Sequence, residues 1–206
     1  MDSLRVRWVP LFRSFRRLGA FACSPHPGVH GFPVLRLLCP IRLFLKASGF
    51  RWARAYLLST TLSPEMRHRA NVLVNYLRDE SSLSKKIQAL VMILTARAMD
   101  CQYIWHAHGA RARQQGISEA FVDALRDHKP LPALPADEQI VVNYVQELFK
   151  THKTSPATFQ AALTQFGARG VTELTTLMGY YTLLAFNANA FEIDVPAGGP
   201  EPKLPI

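Results

Sequence analysis

Cysteine is scarce: three residues, at positions 23, 39 and 101 of a 206-residue chain, are too few and too scattered for a secreted disulfide framework, and a reducing compartment is expected. Long apolar runs are missing as well. Arg36, Pro40, Arg42 and Lys46 interrupt or bound the best candidate, Val34 to Leu45, so nothing approaches the ~20 residues that span a bilayer as a helix, and no membrane span is expected. Acids are nearly absent from the first quarter, where Asp2 stands alone against nine Arg and Lys46 in residues 1–57. The whole chain has 24 Lys and Arg and 15 Asp and Glu, so residues 58–206 hold fourteen of each sign and the net charge of +9 lies entirely upstream. A basic nucleic-acid-binding face on the main domain loses its support, and no nucleic acid is expected as partner. No CxxC pair, HExxH or glycine-rich phosphate loop occurs, so neither a metal nor an organic cofactor is expected.

With 49% hydrophobic and 19% charged residues, the composition is that of a globular protein. Its texture changes near residue 58. Residues 1–57 mix Arg, Pro, Gly and bulky apolar residues without a sustained period, as in Ser24-Pro25-His26-Pro27-Gly28. They read as a basic extension without a stable fold, transit-like or a product of too early a start site. The cytoplasm is the expected location, or an organelle if this segment is a transit peptide. Residues 58–195 read as one helical domain, and 196–206 as a Pro/Gly-rich tail.

Helical signals crowd the middle segment. Ser63-Pro64-Glu65 supplies an N-cap, a first-position proline and a first-turn acid, followed by a stripe of Met66, Ala70, Leu73, Val74 and Leu77. Ser84 caps a helix whose core face is Ile87, Leu90, Val91, Leu94 and Ala98; Asp100 caps one that begins at Cys101 and stops at Gly116. Ser118 opens a short helix, Ala136 to Thr151 form a long one, and Ser155-Pro156 open another that Gly167 and Gly170 end. A last helix runs from Val171 to about Asn189. No run alternates as a strand would. The expected fold is all-α, a compact bundle of six or seven helices.

The stretch Asp100-Cys101-Gln102-Tyr103-Ile104-Trp105-His106-Ala107-His108 concentrates the chemistry. A cysteine in the first turn of a helix meets unpaired N–H groups and the positive dipole end, which would lower the pKa of Cys101. Seven residues are nearly two turns, so Cys101, Ile104, Trp105 and His108 share a face. A buried structural cysteine and a core histidine are the plainer reading of the same spacing. His106 and His108 point about 200° apart and cannot chelate one ion together, and His106 is expected outside.

The succession Leu83 to Leu90, Ala96-Arg97, Cys101 to His108 and Ala112 to Ser118, with Asp137-Glu138, Ser155 to Phe159, Phe166 to Leu174 and Met178 to Asn187, resembles the carboxymuconolactone decarboxylase family, which includes alkylhydroperoxidase D-like proteins. The resemblance implies a compact helical bundle that assembles as a homo-oligomer and acts on a small-molecule substrate. The hydroperoxidase branch has a Glu, two Cys and a His where this chain has Ala89, Cys101, Ile104 and His108. Only the first Cys and the His remain, and Ile104 cannot resolve a sulfenic acid. The decarboxylase branch implies a cofactor-independent lyase for a carboxylated lactone, with His108 as general acid or base and Tyr103, Ile104, Trp105 and Tyr181 shaping the pocket. The alternatives are a thiol peroxidase using Cys101 without an internal partner, and a non-catalytic helical assembly protein.

Overall fold

The computed structural model of the protein describes residues 63–193, 195, 198–199 and 201–206; the expected extension, residues 1–57, lies outside them. Six helices follow one another: α1 Pro64–Asp79, α2 Lys85–Ala98, α3 Gln102–Gln114, α4 Glu119–Arg126, α5 Ala136–Thr151 and α6 Pro156–Ala190. No strand occurs among the described residues. The described part of the chain is all-α, as its sequence indicates.

Three of the helix starts are set by serine. The hydroxyls of Ser84, Ser118 and Ser155 accept from the backbone N–H of Ile87, Phe121 and Thr158 at 3.2, 3.4 and 3.3 Å, each satisfying one orphan donor of a first turn. Ser63 holds the N-cap position of α1 without such a bond. Gly116 ends α3 in the left-handed conformation with φ 85°, and Ile117 N–H closes back onto Ala112 C=O at 3.1 Å.

α2 is the axis of the bundle, with α3, α5 and α6 packed around it. Every residue from Ile87 to Arg97 is buried, so the core face expected from its periodicity is only part of what it buries, and Ala98, counted on that face, is exposed. Each large aliphatic side chain so enclosed contributes roughly 1.5–3 kcal/mol relative to exposure. α1 behaves in the opposite way. Of its stripe only Leu77 is buried, while Met66 and Leu73 are exposed, because α1 packs against α6 through its last turns, at Tyr76 and Leu77. On α6, Ala162 rather than Phe159 reaches the core.

The two closing helices expected from the sequence are one helix with a kink. Gly167, at φ 67° and ψ 173°, is its non-helical residue, whereas Gly170 lies within the helix and is buried. A side chain added at Gly167 would meet nothing within 4 Å, so the position is reserved for glycine by its backbone alone. Gly167→Ala is expected to cost about 1–3 kcal/mol, read as a lowered denaturant midpoint with an unchanged m-value.

A four-membered cluster fastens α1 and the following loop to α6. Both oxygens of the buried Glu173 carboxylate are engaged: Oε1 accepts from the Tyr76 hydroxyl at 2.5 Å and Arg169 Nε at 2.8 Å, and Oε2 from the Ser82 N–H and hydroxyl at 2.8 and 2.6 Å. Burial alone would raise this carboxyl, but the Ser82 and Tyr76 hydroxyls and the Arg169 guanidinium outweigh it and hold the pKa at about 2.

The chain returns at its end to α3. Gln102 Nε2 donates to Leu204 C=O at 2.6 Å and Leu204 N–H donates to Gln102 Oε1 at 3.1 Å. Trp105 Nε1 donates to Pro202 C=O at 2.9 Å, and Arg113 grips Glu201 through Nε and Nη2 at 3.0 and 2.8 Å. Leu204 and Glu201 are both buried. Gly109 makes the approach possible, since a Cβ there would stand 2.6 Å from Glu201 Cγ.

Candidate functional site

The site is built on α3 and completed by α6. Asp100, expected to cap α3, adopts a left-handed φ of 46° instead, and the capping position falls to Cys101, with the helix starting at Gln102. The turn folds Cys101 under α2, where its N–H donates to Ala96 C=O at 2.8 Å and the residue is 0% exposed. The expected lowering of its thiol pKa is therefore corrected. Burial pushes the thiol up, and the N–H groups of Ile104 and Tyr103, which pull the other way, do not offset it.

His108 is half-buried on the second turn, and its Nδ1 is enclosed without a hydrogen-bond partner among the described residues. Tyr181 of α6 stands edge-on to it, with ring centroids 5.2 Å apart and planes at 83°. One turn earlier is Ile104, 1% exposed, so the neighbour at hydrogen-bonding spacing is a hydrocarbon wall. Burial, aided by the positive charge of Arg111, lowers the imidazole pKa from 6.5 to about 4. The ring is neutral at physiological pH. Burial, with Tyr180 alongside, raises the Tyr181 phenol, which stays protonated and able to donate.

Cys101 caps the helix that carries His108, and the seven residues between them correspond to a rise of about 10 Å along the axis. Of the four expected pocket residues, Tyr181 meets His108 directly and Ile104 lies one turn away. Trp105 is fully buried and spends its indole N–H on Pro202. Tyr103 lines a different cleft of ≈350 Å³, with Asp100, Ala188, Glu192 and Ile206 among its walls. His106, expected outside, is half-buried beneath Gly199, where an added Cβ would come within 1.9 Å of the ring. Arg111 is the member that sequence reasoning missed. It is exposed, one turn beyond His108, and its charge reaches both His108 and Tyr181; its spacing of three from His108 was the available signal. No cluster of metal-ligating side chains occurs among the described residues, and none of their helices is long and apolar enough to cross a membrane.

A helical bundle with a His facing the core one helix after a central buried helix defines a class before it defines an activity. Residues 50–136 match the model of the Carboxymuconolactone decarboxylase family, and the described helices form an AhpD-like all-α fold. One similar solved structure is a protein of unknown function from Agrobacterium tumefaciens, a candidate antioxidant defence protein AhpD. It is 18% identical with a TM-score of 0.60, over 68% of this chain and 96% of that one. Another is an uncharacterized peroxidase-related protein from a Silicibacter species, also 18% identical with a TM-score of 0.60, over 69% of this chain and 76% of that one. At this identity the likeness is one of fold. No curated protein matches the chain.

Proposed function

We propose that the protein is a cofactor-independent lyase of small carboxylated lactones or related carboxylic acids, with His108 as its proton-transfer residue. The observation that carries this reading is the neutral imidazole whose Nδ1 is buried without a partner beside Tyr181. Arg111 supplies a cation for the substrate carboxylate. Breaking the bond to the carboxyl group releases carbon dioxide and leaves the electron pair on the ring carbon, which takes its proton from His108. The neutral ring takes up this proton from solvent as substrate binds, because the entering anion raises the imidazole pKa in these desolvated surroundings. It returns to the neutral form once the carbon is protonated.

The names of the two similar structures favour a second reading, thiol-dependent peroxide reduction at Cys101. The buried, raised thiol and the apolar Ala89 and Ile104 work against it. Exposed Val72, Leu73, Leu183 and Phe186 supply apolar surface for a homo-oligomer.

One assay pair separates the readings. With a carboxylated muconolactone, His108→Ala is expected to lose about 100-fold or more in kcat/KM, and Cys101→Ser to retain turnover. Thiol-dependent peroxide consumption lost in Cys101→Ser, without lactone turnover, would establish the peroxidase instead. Turnover of neither substrate by wild-type protein leaves a non-catalytic assembly protein.

A further inference from the structure

Away from His108, the last turns of α2 and α5 and the end of α4 converge on a cleft of ≈310 Å³, at the small end of the ~300–1,000 Å³ of ligand pockets. Leu94, Arg97 and Ala98 come from α2, Leu125 and His128 from α4 and its exit, and Val145, Gln146, Phe149 and Lys150 from α5. Leu94, Leu125 and Val145 are buried and make an apolar floor. The polar lining is one amide and three nitrogen bases, with no carboxylate.

Arg97 is the unusual member, 5% exposed. Among the described residues its guanidinium makes a single hydrogen bond, from Nη1 to Asp100 Oδ1 at 2.8 Å, while Nε is buried without an acceptor. An arginine has five N–H donors, and leaving one buried and unmade is unfavourable. Lys150 has no hydrogen-bond or ion-pair partner among the described residues. A basic residue in the last turn of a helix complements the dipole, which accounts for the exposed Lys150. It does not account for a buried guanidinium with an unmade donor in the wall of a cleft.

We propose that this cleft binds a small organic anion, a single carboxylate on a flat apolar body. The carboxylate accepts from Arg97 with Lys150 at the mouth, and the body rests on Leu94, Leu125, Val145 and Phe149. No residue of the His108 site lines the cleft, so this second site stands or falls independently of the lyase reading.

Benzoate, with neutral benzamide as its control, tests this on the full chain by calorimetry and by amide chemical shifts. Saturable binding of benzoate is expected, at least about tenfold tighter than benzamide, with shifts centred on Leu94, Leu125 and Phe149. Arg97→Gln should weaken it about tenfold or more. Should that variant fail to fold, the exposed Lys150→Glu carries the same test with about a tenfold loss. Equal affinity for benzamide, no saturable binding, or shifts centred on His108 and Tyr181 in place of the cleft would overturn the proposal.

Discussion

Glu173→Ala is expected to destabilise the domain by about 2–4 kcal/mol, a large part of the roughly 5–15 kcal/mol that holds a typical domain folded. The carboxylate removed is buried and accepts four hydrogen bonds, from Tyr76, Arg169 and twice from Ser82. Its loss leaves these donors facing a small cavity between α1 and α6. Glu173→Gln keeps the shape and one acceptor, and should cost about half as much. Urea denaturation of both variants beside the wild type reads the effect. If Glu173→Ala falls within 0.5 kcal/mol of the wild type, an order below which surface changes usually lie, the cluster contributes nothing to stability.

Acid should weaken the fold through two successive, overlapping pH windows. The pKa of His108 falls from 6.5 to about 4 on folding, so between these values the unfolded state binds the proton first. The corresponding stability is fully present above pH 6.5 and lost as the pH falls to about 4, up to about 3 kcal/mol in all. Glu173, lowered from 4.5 to about 2, holds its contribution above pH 4.5 and loses a similar amount as the pH falls towards 2. Stability measured against pH should therefore decline in an upper window that His108→Gln removes, and again in a lower window that Glu173→Gln reduces, the lowered Asp127 carboxyl also contributing there. A His108→Gln variant with the wild-type slope between pH 6.5 and 4 would mean that the imidazole is hydrated in the folded state.

Much of the fold was legible because local signals and tertiary packing agree. Ser84, Ser118 and Ser155 begin their helices with the bonds their side chains permit, and Gly116 ends α3 as a left-handed stop. The errors fall where tertiary structure overrides a local pattern. The stripe on α1 looks like a core face, but a partner helix meets it only near Leu77. Gly170 reads as a second helix breaker, yet it is helical and close to Phe166, whose Cβ would lie 2.7 Å from an added Cβ. The sequence pattern sets Cys101 one residue deeper in its helix than the structure does, because nothing in it announces a left-handed Asp100. That one residue reverses its chemistry, from a dipole-activated thiol to a buried one. His108 was legible as a candidate from its spacing and family resemblance, whereas its pairing with Tyr181 joins residues 73 positions apart through the packing of α3 on α6. The same holds for the cleft at Arg97, whose walls come from three helices.

The return of residues 201–206 to α3 bears on how the chain matures in the cell. Gln102, Trp105, Gly109 and Arg113 are synthesised long before their partners Leu204, Pro202 and Glu201, and contacts so distant in sequence form late because their loop must first close. While the ribosomal tunnel still holds that closing segment, the flank of α3 beside the candidate site stays open to water and to chaperones, with the Arg113 guanidinium lacking its Glu201 partner. These contacts on α3 are thus among the last to consolidate, and a nascent chain stalled before Glu201 should be more accessible to protease along α3 than one that has emerged past Ile206.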